Sequence, residues 1–82
     1  MALKDEILEK IRQRVIEIFK KSPEEITVDT RFTEDPKAKS VNLVQIIAIL
    51  EDAYDVQINF MEFRRKKTLG EAAEFVAQLC GG

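Results

Sequence analysis

The chain contains no histidine, no tryptophan and a single cysteine, Cys80. One cysteine cannot build an internal disulfide framework. The missing histidine removes the commonest general base, the usual partner of a nucleophilic serine or cysteine, and the commonest transition-metal ligand. A self-contained hydrolase or a zinc enzyme is therefore a poor expectation, and no metal site is expected. Glycine and proline are few, three and two residues, in a composition otherwise ordinary for a soluble globular protein. No apolar run approaches the roughly 20 residues of a spanning helix, and the charged segment 1–10 does not read as a signal peptide. A cytoplasmic, monomeric protein without a membrane span is expected.

What is present is a chain of 82 residues with 45% hydrophobic and 34% charged residues, too apolar for disorder. That length supports one domain, residues 1–82, with one modest core. The net charge of −2 is unevenly laid out. Five acids face only Arg31 over 24–35; Lys37 and Lys39 follow without an acid; then Glu51, Asp52, Asp55 and Glu62 run without a base before Arg64-Arg65-Lys66-Lys67. Such blocks suit docking on charged protein surfaces better than binding nucleic acid, which more often goes with a basic total. The basic run is expected to pair with Glu62 or nearby acids, or to meet an acidic partner.

Leu3, Ile7, Leu8, Ile11, Val15, Ile18 and Phe19 recur at helical spacing and predict a first helix over about 3–20. Ser22-Pro23-Glu24-Glu25 is a helix-start signature whose apolar pattern soon dies, so it predicts one turn and then a long loop over 26–39. Ile26, Val28 and Phe32 are the expected anchors of that loop. A second helix is predicted over 41–54, apolar almost all round, hence either central or with one face kept for a partner. Phe60 to Arg65 predicts a short third helix. Thr68-Leu69-Gly70-Glu71 is a capping box opening a last helix whose stripe is Leu69, Ala72, Ala73, Val76, Leu79 and Cys80, with Gly81 as its stop. The expected fold is all-α: a small four-helix bundle of three principal helices and one short one, with a long loop between the first and second. By spacing, Val44, Ile47, Leu50, Ile58, Leu69, Ala72 and Val76 belong to the core. Val41, Gln45, Ala48 and Asp52 share another face of the second helix, a candidate docking surface.

Ser40 stands where that helix begins. Serine is among the best N-caps, and capping alone accounts for one there. The same position lies beside unpaired N–H groups and the positive end of the helix dipole, where a phosphodiester is stabilised. Lys39 and Lys37 add positive charge and are candidate phosphate neighbours.

Phe32-Thr33-Glu34-Asp35-Pro36-Lys37-Ala38-Lys39-Ser40-Val41, followed by Leu50-Glu51-Asp52-Ala53-Tyr54, resembles the acyl carrier protein family. There a Phe-x-Glu-Asp-Leu-Gly-x-Asp-Ser-Leu stretch leads into the second helix, which closes on Leu-Glu-Glu-x-Phe. Tyr54-Asp55-Val56-Gln57-Ile58 and Thr68-Leu69-Gly70-Glu71-Ala72-Ala73 extend the likeness over nearly the whole chain. The resemblance implies a non-catalytic carrier with 4'-phosphopantetheine joined to Ser40. It implies acyl groups held as thioesters, and as partners a phosphopantetheinyl transferase and fatty-acid or polyketide-type enzymes of the ketosynthase, dehydratase and reductase kinds. It also implies partner docking at Val41, Gln45, Ala48, Glu51 and Asp52. A cleft for the acyl chain is implied among Val44, Ile47, Leu50, Ile58, Leu69, Ala72 and Val76, where the small Ala72 and Ala73 leave room. The chain departs from the family at Lys39, where an Asp is usual, at Pro36-Lys37 for Leu-Gly, and at Val41 for Leu. Its second helix keeps only Glu51 and Asp52 of an acidic face. These departures point to dedicated partners, and they favour as alternative an interaction module of carrier shape without the arm. An enzyme using Ser40 or Cys80, and a tail activated at Gly81-Gly82, are weaker readings.

Overall fold

The computed structural model describes residues 3–81. Its elements are α1 (Leu3–Phe19), α2 (Ser40–Tyr54), α3 (Phe60–Arg64) and α4 (Leu69–Leu79), with single 3-10 turns at Pro23–Glu25 and Phe32–Glu34 in the first connection. No strand occurs among the described residues, so the architecture is the expected small helical bundle. Nor is any described helix long and apolar enough to cross a membrane.

α1 follows from its spacing: Ile7, Ile11, Val15 and Phe19 lie four apart and are essentially sealed from solvent. It ends because Lys20 turns left-handed, φ 56°, and Lys21 N–H donates back to the Ile16 carbonyl at 3.1 Å, satisfying an orphan acceptor. α4 packs along α1, and its Leu69, Ala72, Ala73, Val76 and Ala77 are buried. Gly81 stops it at φ +81°, a conformation that glycine takes without strain. α2 is both things its all-round apolar pattern allows. Leu43, Ile46, Ile47 and Leu50 are buried, while Val41 (61% exposed), Val44 (51%) and Ala48 stay outside.

The first connection is tied down at several points. Arg12 of α1 donates to the carbonyls of Ile26 and Pro23, both at 2.8 Å. Ile26 and Phe32 are buried as expected, and the Phe32 ring meets Phe63 of α3 edge-on at 5.9 Å. Val28 anchors differently from the expectation: its side chain is 46% exposed, and its backbone does the work. The Val28 and Thr30 carbonyls accept from Gly70 and Leu69 N–H, each at 2.9 Å. These are donors the first turn of α4 leaves unpaired. Thr68 Oγ1 accepts a third, from Glu71 N–H at 3.2 Å. The second 3-10 turn, Phe32–Glu34, replaces part of the expected loop, because burying Phe32 leaves the backbone beside it to pair with itself, Asp35 N–H to Phe32 carbonyl.

The pairing expected within the chain for the basic run does not form, which leaves its other reading, an acidic partner, untouched. Among the described residues no ion pair involves Arg64, Arg65, Lys66 or Lys67, and Glu62 does not pair with them. Glu62 instead carries the N–H that Asn59 caps at the head of α3, and the Lys66 ammonium lies over the Phe75 ring at 4.7 Å. Cys80 is free and half-buried against the core, as its place at the end of the α4 stripe implied. Gly82 lies outside the described residues.

Candidate functional site

Asp35-Pro36-Lys37-Ala38 forms a turn, with Ala38 N–H on the Asp35 carbonyl at 2.8 Å. The Asp35 carboxylate accepts from Lys37 N–H at 2.8 Å and pairs with the Lys21 ammonium at 3.3 Å. Those contacts, the Lys37 N–H foremost, hold its pKa below the ordinary 3.8. Lys37 sends its own ammonium to the Phe19 carbonyl at 2.9 Å, where a cation suits the negative end of α1. Asn42 reaches back from α2 to donate to the Lys37 carbonyl at 2.6 Å.

Beyond this turn the chain extends at Lys39 (φ −77°, ψ 158°), which is the N-cap of α2, and Ser40 is the first helical residue. The cap position therefore belongs to Lys39, and capping does not explain the serine. Lys39 makes no side-chain cap; only its carbonyl is used, by Asn42 and Leu43 N–H at 2.9 and 3.0 Å. Ser40 is exposed, and among the described residues its hydroxyl has no hydrogen-bond partner. Nor does any described group accept from the N–H of Ser40 or Val41. The result is an accessible nucleophilic oxygen with two open donors at the positive end of a helix, a setting that fits a phosphodiester.

Lys39 is exposed beside Ser40. Lys37, expected as a second phosphate neighbour, is not available for that role, since its ammonium is committed to the end of α1. Val41, Gln45, Ala48 and Asp52 are all exposed on one face of α2. Glu51, expected with them, turns inward instead: its carboxylate accepts from Ile58 N–H at 2.8 Å, because the chain leaving α2 has no other partner for that donor. Val44 is corrected as well. It faces solvent at 51% exposure, while Ile47, Leu50, Ile58, Leu69, Ala72 and Val76 do come together as one buried core. Sequence reasoning missed Asp35, Asn42 and the tie of Lys37. Asp-Pro is a turn signal and marks the first; contacts of Lys37 to α1 leave none.

The arrangement is a small helical bundle that presents an exposed serine hydroxyl at the head of α2. A model of the family described as "Phosphopantetheine attachment site" matches residues 9–76. The acyl carrier protein of Borrelia garinii subsp. bavariensis is 35% identical over 77 residues, covering 94% of this chain and 96% of that protein. Those of Sulfurovum sp. and Cyanidium caldarium are 33% and 32% identical over 76 residues, covering 93% of this chain and 96% and 88% of theirs. The chain belongs to the acyl carrier protein family. It is accordingly a non-catalytic carrier with a covalently attached 4'-phosphopantetheine, served by a phosphopantetheinyl transferase and by biosynthetic enzymes.

Proposed function

We propose that Ser40 is the attachment residue, that residues 1–82 act as one monomeric cytoplasmic carrier domain, and that it serves fatty-acid or polyketide-type enzymes. The observation that carries this is the exposed, unengaged Ser40 hydroxyl at the first position of α2, ahead of two open N–H groups. In the modification the Ser40 Oγ–P bond forms as the phosphorus–oxygen bond to adenosine 3',5'-bisphosphate in coenzyme A breaks. The hydroxyl proton passes to a base of the transferase. Once attached, the group supplies a thiol that holds acyl chains as thioesters. The chain's own part is presentation: the N–H of Ser40 and Val41 steady the phosphate, Lys39 adds charge, and α2 turns its outer face to the visiting enzyme.

The test is intact-mass analysis after incubation with coenzyme A and a broad-specificity transferase. A phosphopantetheine-sized gain is expected, and Ser40→Ala abolishes it. A gain that survives in Ser40→Ala moves the attachment elsewhere, and no gain with several transferases favours the interaction module.

Partner enzymes, on this reading, meet Val41, Gln45, Ala48 and Asp52. Between Ser40 and Asp52 that face offers Val41, Gln45 and Ala48, none of them charged, so docking on this stretch is driven by apolar contact more than by steering. Ala48→Asp is expected to slow acyl transfer by roughly ten-fold through an unpaired buried charge at the interface, with added salt changing the wild-type rate little. Equal rates for Ala48→Asp and wild type with a partner ketosynthase rule this face out.

A further inference from the structure

The two main helix heads are fixed in opposite ways. At α4 the N-terminal donors are consumed: Leu69, Gly70 and Glu71 N–H all go to partners in the chain. At α2 the head is fixed through acceptors and side-chain donors, and the N–H groups of Ser40 and Val41 stay open. Asn42, in the first turn of α2, donates backward to the Lys37 carbonyl at 2.6 Å. In a capping box the residue at this position would accept a backbone N–H instead. Lys37 donates onward to the Phe19 carbonyl at 2.9 Å, and Asp35 is tied by Lys37 N–H at 2.8 Å and by Lys21 at 3.3 Å. The end of α1 and the turn before Ser40 thus exchange lysines: Lys21 reaches the turn, and Lys37 reaches the helix.

We propose that Asn42, Lys37 and Asp35 are positioning residues for phosphopantetheine transfer onto Ser40: they fix the serine's backbone without spending the donors its phosphate needs. The inference rests on Ser40 as the attachment residue. A serine on a slack loop would have to be ordered within the transferase complex. Here that ordering is done in the free protein, and misplacing a nucleophile by an ångström is costly in rate. The clasp closes the turn on three sides, with α1 behind it, α2 ahead of it, and the Asp35 carboxylate beneath its own Lys37 N–H. Among the described residues no other hydrogen bond holds Lys37 or its carbonyl in place.

The test is steady-state phosphopantetheinylation of the full chain with coenzyme A and a broad-specificity transferase, read by intact mass, alongside amide hydrogen exchange of the unmodified protein. Asn42→Ala keeps the helix, since alanine is the better helix former. Lys37→Met keeps the aliphatic stem and removes only the donor. Both are expected to lower kcat/KM by roughly ten-fold, with part of the loss in kcat, and to speed exchange at Lys37 and Ala38. Lys37→Arg, which can still reach the Phe19 carbonyl, is expected to restore the rate to within about two-fold. Thr33→Val, which removes the hydroxyl bonded to the Lys66 carbonyl, is expected to lower thermal stability and leave transfer unchanged. Rates for Asn42→Ala and Lys37→Met within about two-fold of wild type overturn the proposal, as does slowed transfer in Thr33→Val equal to theirs. A wild type that gains no mass, or a Ser40→Ala that still does, instead overturns the attachment reading beneath it.

Discussion

Lys20 and Asp55 are the two described residues other than glycine with positive φ, at 56° and 54°. Each ends a long helix, α1 and α2. A Cβ in this region crowds the following carbonyl at a cost of about 1–2 kcal/mol, less for Asp, whose short polar side chain bonds locally. Glycine removes that crowding but adds unfolded-state entropy. Lys20→Gly is therefore expected to stabilise by about 0.5–1 kcal/mol, and Asp55→Gly by less, in urea unfolding at neutral pH. Equal or negative effects at Lys20 would mean that its side chain contributes contacts which outweigh the strain. Ser40 shows the same dependence of role on one backbone position: a shift of one residue would make it a cap and hide its hydroxyl in the helix it starts.

Among the elements, the seat of the first connection on α4 depends on Gly70. A Cβ there would lie 2.7 Å from Val28 Cγ2 and 3.3 Å from the Val28 carbonyl. The branched Val28 side chain has little freedom to move, and its carbonyl is already bonded to Gly70 N–H. Gly70→Ala is expected to destabilise by about 1–3 kcal/mol, despite alanine's better helix propensity. Val28→Ala in the same chain is expected to recover about half of that, because only the side-chain clash is relieved. Thermal unfolding of the two single variants and the double variant measures the coupling; strict additivity would show that the loop moves aside freely. The helices themselves were legible, since Ile7, Ile11, Val15 and Phe19 on α1 and Leu69, Ala72, Ala73 and Val76 on α4 repeat at the helical period and are the residues buried. The position of Ser40 at a helix start was legible as well. Glu51, Val44 and Lys37 were not. Glu51 follows a lone backbone donor at Ile58, Val44 falls just outside the buried arc of α2, and Lys37 answers a carbonyl eighteen residues away. None of these partners lies within a helical turn of the residue concerned, so no local period encodes them.

At the scale of the molecule, the buried residues of every helix and of the first connection merge into one core, and no charged residue among those described is buried. Charge therefore acts on stability from the surface, and chiefly where it spans elements. Asp35 is such a place, since the Lys37 N–H and the Lys21 ammonium hold its pKa below 3.8. A lowered carboxylate contributes stability above its unfolded pKa and loses it as pH falls through its folded one. Glu25, lowered by Ser22 N–H, acts with the same sign. Stability is thus expected to be flat near neutrality and to fall as pH drops below about 4. In Asp35→Asn the acid-side fall is expected to be shallower and neutral stability lower, as read by urea midpoints at pH 7 and pH 3. A variant curve parallel to wild type would place the acid sensitivity in other carboxylates.

The tie between Lys37 and Phe19 has a mechanical corollary. With the arm on Ser40, as proposed, a large enzyme drawing on it would pull first on the backbone just before the serine, and a hinge there would let the helix head fray. That backbone is lashed to the last turn of α1, whose Phe19 ring is sunk in the interior. Load applied at the tip would therefore pass into two helices, through Lys37 to α1 and through Ser40 to α2.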